Sequence, residues 1–115
     1  MIKSSQNENR RSQPCWSRDY QTQALRVELA DGSSYVFPYT RLAFVRFEHG
    51  NEHDTVRLHS DTHEIQIVGE NLRAVELALQ KFAVDWVKGS VERYDIESSD
   101  DSVRITCITV SELER

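Results

Sequence analysis

From Leu25 onward, apolar and polar residues alternate with a period of two, which is the spacing of a strand with one buried face. Leu25, Val27 and Leu29 alternate with Arg26 and Glu28. Asp31-Gly32-Ser33 then supplies a turn, and Tyr35-Val36-Phe37 resumes an extended run that ends at Pro38. Two such runs around an Asp-Gly turn predict a β-hairpin. The run 42–47, LAFVRF, is apolar on both faces in its first half and predicts a central strand. Val56 and Leu58, then Ile65 and Ile67, alternate with polar neighbours and predict two further half-buried strands.

At Gly69 the period becomes helical. Leu72, Val75, Leu79, Phe82, Ala83 and Trp86 fall on one stripe, with Arg73, Glu76, Gln80 and Lys81 opposite. A long amphipathic helix is expected over residues 70–88, with Glu70 or Asn71 serving its first amides and Gly89 ending it. Beyond it, VERYDIE and VRITCITV predict a last hairpin around the acidic loop 98–101. In the second of these, Ile105 and Cys107 lie on one face and Ile108 and Val110 on the other. Cys107 reads as a small buried hydrophobe.

Before Leu25 the picture differs. Residues 1–23 are dominated by Ser, Gln, Asn and Arg, and bury too little apolar surface to offset the entropy of ordering them. They are expected to form a flexible polar arm, with Cys15, Trp16 and Tyr20 able to dock its last part. Residues 24–115 then form a single α+β domain: a mostly antiparallel sheet of about five to seven short strands packed against the helix.

Composition narrows the function classes. The chain has 115 residues, 38% hydrophobic and 29% charged, which suits one globular domain. No apolar run approaches the roughly 20 residues of a membrane span, and no apolar leader is present, so a cytoplasmic location is expected. Net charge is −5. Within residues 1–20 four cations face two carboxylates, so the remainder is more acidic still and repels phosphates, which argues against nucleic acid as a partner. Cys15 and Cys107, far apart and without a CxxC spacing, read as thiols rather than a disulfide.

One stretch suggests chemistry. Residues 49–63, HGNEHDTVRLHSDTH, hold all four histidines at spacings H-x3-H-x5-H-x3-H. On a helix each pair would present two imidazoles to a metal, but Gly, Asn, Ser, Asp and Thr break helices, and no Glu follows His49 or His59. In a strand meander, Gly50-Asn51-Glu52 and Ser60-Asp61-Thr62 become the turns. His49 then lies across from His53, and His59 across from His63. The two pairs stand at opposite ends of the sheet, about 20 Å apart at 3.3 Å per residue, too far to share one ion. Each pair alone is a candidate site for a weakly held transition ion.

The other candidates thin out. The four glycines are too dispersed for a phosphate loop, and the carboxylates are scattered over turns and outward faces. Tyr35, Phe37, Tyr39, Phe44 and Phe47 read as core rather than a base-stacking platform. Arg41, Arg46 and Arg57 can gather on the sheet face away from the helix, where cross-strand ion pairs are their expected use. No cofactor motif is present and no small-molecule site is legible. The expectation is a non-enzymatic interaction or assembly module that binds a protein partner or itself through an exposed strand edge. The alternative is a small metal- or ligand-binding protein using the histidine pairs.

Overall fold

The computed structural model describes residues 14–89 and 103–114. Its strands are β1 (Trp16–Arg18), β2 (Ala24–Glu28), β3 (Ser34–Pro38), β4 (Leu42–His49), β5 (Asp54–Ser60), β6 (His63–Glu70), β7 (Val84–Lys88) and β8 (Arg104–Glu112). Helix α1 (Arg73–Gln80) lies between β6 and β7. The α+β class holds, but in place of one sheet there are two four-stranded sheets, ordered β1-β7-β2-β3 and β4-β5-β6-β8. All pairings are antiparallel except β2 with β7.

The hairpin forms as its pattern predicts, with Leu25 opposite Phe37 and Val27 opposite Tyr35. Gly32 takes a φ of 95°, and the Asp31 carboxylate accepts from the Ser33 amide and hydroxyl, closing the turn. The meander β4-β5-β6 also forms, yet β4 is an outer strand, not a central one. Its doubly apolar start is explained by its neighbours: Val45 and Phe47 pack against the core, while Phe44 is 55% exposed.

The expected helix over residues 70–88 is the largest correction. Only eight residues are helical, and the chain leaves them through Phe82 at φ 58°. The Phe82 amide bonds the Leu79 carbonyl and the Ala83 amide the Ala78 carbonyl, the pattern of a left-handed helix stop. Phe82, Ala83 and Trp86 continue the helical stripe by coincidence. Val84 and Val87 belong to β7, fully buried between β1 and β2. A Phe in place of the usual Gly at that left-handed position is held by contact with Tyr39, whose ring centroid lies 5.3 Å away.

The expected polar arm is in part built into the first sheet. Trp16 pairs with Val87, Lys88 donates its amide to the Cys15 carbonyl, and the Asp19 amide donates to the Ala83 carbonyl. The reason is local: Cys15 and Trp16 pack against the core, and Arg18 covers the Trp16 ring at 4.7 Å. Residues 1–13 lie outside the described residues, as do VERYDIE and the acidic loop 98–101. Of the expected last hairpin, β8 is therefore what can be placed, and it pairs with β6.

Both sheets and the helix share one core. Leu25, Val27 and Val87 come from the first sheet, Leu58, Ile65, Ile67 and Ile105 from the second, and Leu72, Val75 and Leu79 from α1 and its start. Each fully buried aliphatic side chain contributes roughly 1.5–3 kcal/mol. Two devices align these parts. Tyr39, in the single turn of 3-10 helix (Tyr39–Arg41) between β3 and β4, donates its hydroxyl to the Val84 carbonyl at 2.6 Å and accepts from the Val84 amide at 3.1 Å. The second is a bulge in β8. Val68 faces Cys107 but Gly69 faces Ile105, so Thr106 is the extra residue, and its hydroxyl bonds the Val68 carbonyl. Ile105 and Ile108 therefore both point inward, while Cys107, expected to be buried, is an exposed thiol.

The bulge needs a glycine beneath it: a Cβ on Gly69 would stand 2.0 Å from the Arg104 carbonyl oxygen. Gly69→Ala is expected to destabilise the fold by about 3 kcal/mol, read as a lowered urea midpoint. Gly89→Ala, where the nearest atom would be 3.6 Å away, serves as the control with little change. Tyr39→Phe strands both backbone groups of Val84 and is expected to cost about 1–3 kcal/mol. Burial also pushes the Tyr39 hydroxyl up to about 12, against the bond to Val84 and with help from Asp85. The neutral phenol is thus the stabilising form. Its contribution is complete below about pH 10 and lost as the pH rises toward 12, so the Phe variant should show a flatter alkaline limb.

Candidate functional site

The histidines do not pair as their spacing suggests. The connection after β4 is Gly50–His53 and that after β5 is Asp61–Thr62, each one residue different from the expected turn, and this changes every cross-strand partner. Asp54 rather than His53 lies opposite His49, and Glu64 rather than His63 lies opposite His59. His49 Nδ1 is 2.8 Å from Asp54 Oδ1, and His53 is exposed in the connection. His59 stacks on Phe44 at 4.6 Å and approaches Glu64 at 3.8 Å. His63 meets the rings of Tyr35 and Phe37 at 5.6 and 5.9 Å, and its Nδ1 lies 2.7 Å from the Thr62 hydroxyl. Among the described residues no three His, Cys, Asp or Glu side chains gather in a group suited to a metal ion.

The arginines behave as their neighbours dictate. Arg46 and Arg57 face each other on β4 and β5, and Glu48 sits 3.0 Å from the first and 3.6 Å from the second. Arg57 also reaches Glu64 at 3.4 Å and Gln66 at 2.8 Å. Arg41 pairs elsewhere, with Asp61. The outer face of the second sheet is thus a neutralised ladder of half-exposed charges, each pair contributing little to stability.

Asp54 is different. It is 6% exposed, accepts the Leu72 amide at 3.0 Å, and holds His49 on its other oxygen. The Leu72 amide opens α1, so a carboxylate of β5 serves the helix start where Glu70 or Asn71 was expected to. Burial works against ionisation of this carboxyl. The Leu72 amide, His49 and the Gly50 amide together outweigh it and hold the pKa below the ordinary aspartate value.

The feature that sequence reasoning missed is a groove of about 360 Å³ between the outer strand β4 and α1. Leu42, Ala43, Phe44 and Val45 of β4 and Glu76, Leu79 and Gln80 of α1 line it together with Tyr39 and Phe82. Its lip is apolar, with Phe44 55% and Phe82 60% exposed. Among the described residues no strand pairs with the far side of β4, so its backbone amides and carbonyls run along the rim. Among the described lining residues Glu76 is the one carboxylate, and it is held 2.7 Å from Arg73. The described lining residues therefore hold no pair of carboxylates placed for acid–base work. Only the exposed aromatic Phe44 in LAFVRF could have signalled the groove. Its partner wall depends on where the helix stops.

No family model matches this chain, and neither a curated protein nor a solved structure matches it. No helix among the described residues is long and apolar enough to cross a membrane.

Asp54→Ala leaves the Leu72 amide buried without an acceptor and is expected to cost about 1–3 kcal/mol at pH 7. The pH dependence has a definite sign. Because the folded-state value lies below the unfolded one, the unfolded chain takes up the proton first as acid is added. The stabilisation is present above about pH 4 and lost as the pH falls through the folded value. Urea unfolding at pH 7 and pH 3 should show the drop in the wild type and a smaller one in Asp54→Asn.

Proposed function

We propose that this chain is a non-enzymatic protein-interaction module, and that its docking element is the edge of β4 left unpaired among the described residues, together with the groove beside it. The observation that carries this reading is the coincidence of an outer strand with a preformed apolar groove, rimmed by Phe44 and Phe82. Strand addition uses these two parts: main-chain hydrogen bonds along the edge for affinity, and pockets for alternate side chains for selectivity. The C-terminal strand, apolar on both faces in sequence, is the weaker candidate. Ile105 and Ile108 of β8 are spent on the core, and Thr106, Cys107 and Thr109 are what it turns outward.

Site-specific photo-cross-linking tests the reading. The benzophenone amino acid is introduced by Phe44→p-benzoylphenylalanine in the producing cell, with Val36→p-benzoylphenylalanine on β3 as control, since Val36 is 56% exposed. A discrete protein adduct from position 44 and not from position 36, identified by mass spectrometry, is the expected result. No adduct, or the same adducts from both positions, overturns the module.

A further inference from the structure

We infer that the occupant of the β4 edge is β4 of a second copy of this chain, paired antiparallel about a two-fold axis through Phe47. The inference rests on the docking reading above and supplies its partner.

The charges on the outward face of β4 select the register. Arg46 and Glu48 are neighbours on that face, with their side chains 66% and 37% exposed. Antiparallel pairing of a strand with itself about Phe47 sets Arg46 opposite Glu48 of the second copy, and Glu48 opposite its Arg46. Two opposite-charge cross-strand pairs result. Sliding one copy by two residues either way, the smallest slip that keeps both core faces on the same side, sets Arg46 opposite Arg46 or Glu48 opposite Glu48. The arrangement is thus flanked on both sides by like-charge registers, a repulsive selection as well as an attractive one.

The inward face supplies a second reason. His49 lies on the face of β4 that carries Val45 and Phe47, yet its side chain is 78% exposed. In the Phe47-centred pairing His49 of one copy falls opposite Val45 of the other, and Val45 lines the groove. Asp54 holds the imidazole at 2.8 Å, so this exposed ring is anchored on its own sheet. The open wall left by Phe44 and Ala43 is then covered by the chain that follows His49 in the second copy.

Light scattering on the full chain between about 1 and 500 µM is expected to show twice the chain mass at the upper end. A monomer throughout overturns the inference. Arg46→Glu sets two carboxylates against each other in both cross-strand pairs, and Glu48→Arg sets two guanidinium groups against each other there. Each variant alone should dimerise at least about tenfold more weakly. In an equimolar mixture of the two, one copy carries carboxylates at both positions and the other guanidinium groups at both. Both opposite-charge pairs are thereby restored, and dimer should recover as a mixed species by native mass spectrometry. Circular dichroism checks that each variant stays folded. A dimer indifferent to the single changes, or singles that weaken it without rescue on mixing, overturns the register and with it the proposal. A position-44 cross-link to some other protein would overturn the second copy as occupant while leaving the module intact.

Discussion

The Tyr39 hydroxyl, bonded to both the amide and the carbonyl of Val84, joins the place where the chain leaves the first sheet to the place where it returns. Everything between, the meander and α1, is a closed excursion whose ends this one side chain ties together. The second sheet is thereby set over the first so that Leu25 and Val27 share a core with Leu58 and Ile65. It also leaves Tyr39 in the lining of the groove, beside the left-handed Phe82 that lines it too. The joining of the two sheets and the lining of the groove thus depend on the same residue.

Elements with a local signature were legible. The hairpin announced itself by alternation around Asp31-Gly32-Ser33, and the meander by the alternation of Val56, Leu58, Ile65 and Ile67. Turn lengths were not: a one-residue difference at Gly50–His53 and Asp61–Thr62 moved Asp54 and Glu64 into places assigned to histidines. The helix reads too long because Ala83 in the helix stop and Trp86 in β7 happen to fall on the helical stripe, and the stop at Phe82 lacks a glycine. The three residues of β1 carry no period at all. Their structure comes from β7, a partner about seventy residues away in sequence.

The groove was illegible for a related reason. Its lining comes from β4 and α1, and from Phe82 in a backbone conformation unusual for Phe. The proposed interaction edge lies on β4 and not on the C-terminal strand, a move away from the run that is apolar on both faces. The bulge at Thr106 accounts for the move, since it draws both Ile105 and Ile108 into the core. What had read as a strand apolar on two faces is one that turns its side chains twice toward the same face.

The placement of β7 between β1 and β2 bears on how the protein is made. During translation the nascent chain presents β1 and β2 with no common neighbour until residue 84 and those after it have left the ribosome. The β2-β3 hairpin can form first, but β7 must add to the β2 edge before β1 has a partner, so the first sheet is completed late. It waits with a gap at its centre, and contacts so distant in sequence make the final insertion the slow event of the maturation pathway.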